Sequence, residues 1–279
     1  MKETKKNKNN NVHLYGYINN IRMNEYEREG KKMTAINLDV ATLETFKKGD
    51  EFQNRRTYHD VSLFTDDKKT IKMFKDIEKD LAKEGAKAHT ISMDGTLVNK
   101  EDSRDMRIIA KEDSIDVDVK QADKEVRNRA ELVGNVAAVN VFEDKNFASV
   151  NIIHHFRPEG SDKEFETSMQ VRVDGDRKFS KDTYEKLKSG EIGVGDFIKV
   201  GGQLHNNNYT KEGEEKVYSV ALDLTSAEVI RKKGEKKAEG VEKKAEAPKE
   251  KAAPKQKAEP KEKATPKKKP VSRKKGVTM

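Results

Sequence analysis

The sequence predicts a mainly β protein: two tandem five-stranded β-barrels, each with one helix, followed by a disordered, basic C-terminal tail. Three observations predict it. The element order β-β-β-α-β-β is written twice between residues 11 and 230. Positive charge is concentrated after residue 230. That last stretch has no aromatic residue, and Pro248, Pro254, Pro260 and Pro266 recur every six positions, each followed by Lys.

The first unit spans residues 11–120, after a flexible N-terminus at 1–10. An apolar stretch at 12–21, an alternating run from Met33 to Ala41 and a third run from Tyr58 to Phe64 read as strands. Residues 67–83 read as a helix, with Ile71, Phe74, Ile77 and Leu81 at helical spacing and Gly85 placed to stop it. Strand-like runs at 88–98 and 106–117 close the unit.

Past a linker at 121–129, the second unit repeats the order over 130–230. Strands are expected at 132–141, 147–155 and 165–173, a helix at 179–187 ending near Gly190, and strands at 197–204 and 216–224. Landmarks keep similar spacings: Gly16 and Gly134 are 118 apart, and Leu97 and Leu204 are 107 apart. Loop-length changes account for the difference. Five short strands with a helix between the third and fourth is the element order of the OB-fold, a partly open barrel used for oligonucleotides and oligosaccharides.

The net charge of +8 divides unevenly. Residues 231–279 hold 19 Lys and Arg against 7 Asp and Glu, and residues 1–230 hold 39 against 43. The tail is therefore +12 and the body −4, so any polyanion site on the body must be a local patch. The tail cannot bury enough apolar surface to offset its ordering entropy. It reads as an electrostatic tether for nucleic acid, with a solubilising segment and a partner-protein tag as alternatives.

Several function classes find no support in the sequence. No run approaches the roughly 18 apolar residues of a membrane span, and no apolar stretch follows the Lys/Asn-rich start, so a soluble cytoplasmic or nucleoid-associated protein is expected. Cysteine is absent, which removes disulfides, thiolate nucleophiles and zinc-finger ligands. His154 and His155 are strand neighbours that point to opposite faces. The glycines at 193, 195, 201 and 202 lack the Gly-Lys-Ser/Thr of a phosphate loop. No cofactor, metal or catalytic group is expected.

The first unit resembles the bacterial single-stranded DNA-binding protein family in three runs: Asn11-Val12-His13-Leu14-Tyr15-Gly16, Ala35-Ile36-Asn37-Leu38-Asp39-Val40-Ala41-Thr42 and Thr57-Tyr58-His59-Asp60-Val61-Ser62-Leu63-Phe64. The second unit carries the resemblance in Glu131-Leu132-Val133-Gly134-Asn135 and in the run from Val194 to Leu204. The resemblance implies sequence-tolerant binding of single-stranded DNA in replication, recombination or repair, with Phe46, Tyr58 and Phe64 at stacking positions. In the second unit Ser168 and Asp174 stand where the first has Tyr58 and Phe64, while Tyr209, in the loop after Leu204, matches a fourth position. With two barrels per chain, the resemblance implies that two chains present four barrels, the number typical of that family's assemblies, with a monomer as the alternative. The family usually ends in an acidic tip closing on Pro-Phe; this sequence ends Lys274-Lys275-Gly276-Val277-Thr278-Met279, so that recruiting role is not expected.

Residues 43–57 combine Phe46, Lys47, Lys48, Phe52, Arg55 and Arg56 in a loop-like hairpin, diluted by Glu44, Asp50 and Glu51. Aromatic rings stack on any base and cations follow the backbone, so this composition suits an unpaired strand. Phe64 reads as either core or stacking, Tyr15 and Tyr17 as facing either side, and Phe142, Phe147 and Phe156 as barrel core or strand-end packing. Alternative functions are an architectural, histone-like protein whose tail grips duplex DNA, an RNA-binding barrel protein, and a protein-interaction module.

Overall fold

The computed structural model describes residues 9–48, 51–99, 106–119, 128–156, 165–207, 209–210, 216–217 and 219–235. The predicted tail beyond residue 235, and most of the predicted N-terminus and linker, lie outside them.

The first barrel is built from β1 (Asn10–Arg28), β2 (Lys31–Lys48), β3 (Glu51–Thr65), α1 (Lys68–Leu81), β4 (Thr90–Asn99) and β5 (Met106–Ala110), with the short β6 (Asp116–Val117) added to β4. β1 pairs with β2 and β4, β2 with β3, and β4 with β5, all antiparallel. A parallel contact, Val61↔Ile108 and Ser62↔Ile109 between β3 and β5, closes the ring. The second barrel repeats this ring with β7 (Asn128–Phe142), β8 (Phe147–Phe156), β9 (Phe165–Asp174), α2 (Lys181–Lys188), β10 (Phe197–Asn206) and β13 (Val220–Arg231). Its parallel closure joins β9 to β13 at Val171↔Leu222. β11 (Tyr209–Thr210) and β12 (Lys216–Val217) form a separate two-stranded hairpin between β10 and β13. The molecule is thus mainly β, two OB-type barrels in tandem.

Alternation makes the barrels. Along β2, Ile36, Leu38 and Val40 point inward and are buried, while Ala35, Asn37, Asp39 and Ala41 point outward. α1 closes one opening of the first barrel with Phe74 and Ile77, and Asp67 caps it by accepting the Thr70 N–H at 2.8 Å. α2 does the same for the second barrel with Tyr184 and Leu187. Gly16 and Gly134 take equivalent positions. A Cβ on Gly16 would stand 2.6 Å from the Ala41 carbonyl oxygen, and one on Gly134 would strike that of Ile153.

The barrels join through their first strands. β1 and β7 pair antiparallel from Asn10↔Leu132 to Leu14↔Asn128, which places the two cores in one apolar cluster. Both barrels belong to one compact unit ending at residue 237.

Several predicted boundaries move. β1 runs well past residue 21, because pairing with β2 resumes after a bulge between Ile18 and Asn20 and continues to Arg28↔Lys31. The predicted strand at 106–117 breaks at a one-turn helix, Glu112–Ser114. α2 begins at Lys181, leaving Phe179 exposed in the preceding turn. β7 begins inside the predicted linker, and β13 ends at Arg231, inside the predicted tail. Beyond it Lys232 and Lys233 are held by Asp196, which accepts the Lys232 ammonium at 3.2 Å and the Lys233 N–H at 2.9 Å.

Candidate nucleic-acid interface

Register places the exposed aromatic residues of the first barrel on one surface. Tyr17 of β1 is paired with Ala41 of β2, and Ala41 with Tyr58 of β3, so the three form a row across the outer face. Parallel rows follow: Asn20–Asp39–Asp60, Arg22–Asn37–Ser62 and Asn24–Ala35–Phe64. Tyr58 is 43% exposed, Phe64 42% and Tyr17 38%, high values for rings on a paired strand. Tyr58 and Phe64 are six residues apart on one strand and share a face, a separation of ~20 Å at the rise of an extended chain. Phe64 packs edge-on against Tyr26, centroids 6.3 Å apart.

Phe64 is outward, not core. Tyr17 is exposed, whereas Tyr15, two residues earlier on the same side of the strand, is buried, its hydroxyl donating to the Val119 carbonyl at 3.2 Å.

The two predicted arginines part company. Arg56 is exposed and shares the face of Tyr58. Arg55 points the other way, into the seam between the barrels. Its Nη2 lies 2.9 Å from Glu44 Oε2 and 2.9 Å from His205 Nε2, with Asp223 at 3.9 Å. A guanidinium only donates, so Nε2 accepts and the His205 imidazole is neutral. Burial pushes its pKa down, against the pull of Asp223. Arg55 therefore fastens the barrels together, and strand alternation is why adjacent arginines have different fates.

Of the segment 43–57, expected as a loop-like hairpin, residues 43–48 and 51–57 are paired strand: β2 and β3 continue in register from Leu43↔Arg56 to Lys48↔Glu51. Phe52 at its tip is 76% exposed. Phe46, Lys47 and Lys48 lie on this arm, but their side chains are outside the described residues. The same holds for Tyr209, whose backbone is in β11 rather than a loop.

The seam repeats itself about an approximate twofold axis. The Tyr58 N–H donates to Asn206 Oδ1 at 3.1 Å, and the Ser168 N–H donates to Asn99 Oδ1 at 2.6 Å. On the second barrel the row equivalent to Tyr17–Ala41–Tyr58 is Asn135–Ile153–Ser168, with no aromatic ring.

Among the described residues no group of three or more His, Asp or Glu is placed to hold a metal ion, and no helix is long and apolar enough to cross a membrane. His154 Nδ1 is 2.6 Å from the Val133 carbonyl oxygen, a role in packing.

No family model matches the sequence. No curated protein matches it either. Solved structures do. A deletion variant of the single-stranded DNA binding protein from Thermus aquaticus superposes with a TM-score of 0.51 at 17% identity, covering 83% of this chain and 98% of that one. The wild-type Thermus aquaticus protein gives 0.49 at 18% identity, covering 82% and 96%. A Plasmodium falciparum SSB in complex with single-stranded DNA gives 0.29 at 12% identity, covering 39% and 98%. The coverage of the first extends the fold likeness across both barrels.

Proposed function

We propose that the tandem barrels bind single-stranded DNA with little regard to sequence, across the outer face of β1, β2 and β3. The observation that carries this reading is the placement of Tyr58 and Phe64 on one exposed face of β3. A sheet normally buries its aromatic residues, so rings left standing on a solvent face are available for another surface. Bases left unpaired offer that surface, and stacking on them is indifferent to their identity. The fold shared with the Thermus aquaticus single-stranded DNA binding protein supports it, as do the sequence runs that resemble that family.

Arg56 lies outside the Tyr58 row, Arg22 stands between the two aromatic rows at their β1 edge, and the β2–β3 arm adds Phe46, Lys47, Lys48 and Phe52. Asp39 and Asp60, between the aromatic rows, repel phosphates from the middle of the face. The backbone is thereby directed toward Arg22 on β1 and toward Arg56 and the arm, while bases turn toward the rings. The +12 charge of residues 231–279 suits a tether that raises the local concentration of polyanion, DNA or RNA. Two chains would present four barrels to one strand, and protection of exposed strands during replication, recombination or repair is the role such a surface serves.

The test is fluorescence anisotropy of labelled oligo-dT, oligo-U and a duplex of equal length, each titrated with the full chain and with residues 1–237. The truncated body should prefer either single strand over duplex. Binding that disappears with the tail, or favours duplex, would replace this reading with an architectural one in which the barrels serve the tail.

A further inference from the structure

We propose that Phe142 and Phe147 form a second base-stacking platform, on the second barrel, in the same cross-strand row that holds Phe64 on the first; this rests on the single-strand reading above. Aligned along the chain, the second barrel has lost its aromatic positions, with Ser168 for Tyr58 and Asp174 for Phe64. Aligned across the sheet, the Tyr58 row has lost its rings but the Phe64 row has kept them.

The strand registers of the two barrels correspond residue by residue. Both first strands carry a bulge at the same place, between Ile18 and Asn20 in β1 and between Val136 and Ala138 in β7. Past it, Asn24↔Ala35↔Phe64 in one barrel is Phe142↔Phe147↔Asp174 in the other. The aromatic residue has moved from the third strand of the row to the first and second.

Both rings face outward. Phe147 shares its face of β8 with Ser149 and Asn151, while Ala148, Val150 and Ile152 point into the core. Val139 and Val141 pack against the core, so Phe142 points away from it and is 41% exposed. The rings stack on each other with centroids 6.0 Å apart and planes at 30°. Arg172 lies 5.9 Å from the Phe147 centroid and Lys145 6.0 Å from that of Phe142. Asp174, the acidic member of the row, is paired with Arg177 at 3.1 Å, which limits its repulsion of phosphate. Adjacent rings with a cation beside each are the pairing that a single strand asks for, π-faces for bases and positive charge for its backbone.

The experiment uses the full chain and labelled oligo-dT of two lengths, about 10 nucleotides, within one barrel's span, and about 30, spanning both. Phe142→Ala with Phe147→Ala should leave the short-oligonucleotide affinity nearly unchanged and weaken the long one by at least about fivefold, since stacking is lost from one barrel only. Phe142→Tyr with Phe147→Tyr should bind as the unaltered protein does. Phe142→Leu with Phe147→Leu, which keeps the apolar bulk but not the π-face, should match the alanine pair. Unchanged long-oligonucleotide affinity in the alanine pair, equal losses at both lengths, or leucine variants that bind normally would each overturn the platform while the single-strand function stands. Failure of the unaltered protein to bind oligo-dT would overturn both.

Discussion

Asn10 and Asn128 make the same two hydrogen bonds in opposite halves of the molecule. Asn10 Nδ2 donates to the Leu97 carbonyl at 2.8 Å and its Oδ1 accepts the Leu97 N–H at 3.0 Å. Asn128 does the same with Leu204, at 2.7 and 2.6 Å. Each lies two residues beyond the last main-chain pair of its ladder, Val12↔Gly95 in one barrel and Ala130↔Gly202 in the other. At these positions the main chain pairs across the seam, and the side-chain amide, which carries a peptide's donor and acceptor, continues the ladder within the barrel.

Removing the Asn128 amide takes the side-chain partner from both the Leu204 carbonyl and its N–H, and removing that of Asn10 takes it from the Leu97 N–H, while the Thr167 hydroxyl still donates to the Leu97 carbonyl at 3.2 Å. Asn10→Ala and Asn128→Ala should each cost about 1–3 kcal/mol of stability, read as a lower urea midpoint.

Truncating the exposed rings should separate binding from folding. Tyr58→Ala with Phe64→Ala should weaken oligo-dT binding by at least about tenfold, since each stacked base contributes roughly 1–3 kcal/mol. The thermal midpoint should hardly move, because both rings are on the outer face. Unchanged anisotropy titrations would remove stacking from the mechanism.

Acid should destabilise the body through buried histidine. His59 is buried with Nε2 3.1 Å from Thr42 Oγ1, and burial, aided by His205, pushes its pKa from 6.5 down to about 3 against the pull of Asp60. Between those values the unfolded chain binds the extra proton, so stability is complete above the unfolded pKa and falls as pH drops toward the folded one. The slope reaches ~1.4 kcal/mol per pH unit for each such group. Burial shifts His154 and His205 in the same direction. Urea midpoints measured from pH 7 to pH 4 should fall more gently in His59→Gln than in the unaltered protein.

Deleting residues 238–279 should flatten the salt dependence of single-strand binding, whose slope is roughly −0.7 per phosphate neutralised. A cut at residue 230 should also lower the thermal midpoint, because it removes the Lys232 and Lys233 contacts with Asp196. A salt slope that survives the deletion would assign the phosphate contacts to the body.

Both barrels are legible in the order of the amino acids. Alternation in runs such as Met33 to Ala41 decides which side of a strand is buried, and the helical spacing of Ile71, Phe74 and Ile77 separates the third strand from the fourth. The doubled order then repeats the topology. Local pattern cannot say which outward positions become neighbours, since that depends on registers between strands far apart in the chain. Only the tertiary structure set Tyr17 in a row with Tyr58, turned Arg55 into the seam while leaving Arg56 outside, and brought Phe142 and Phe147 to the place of Phe64. The physical reason is that alternation fixes a side chain's face, whereas register and barrel closure fix its neighbours.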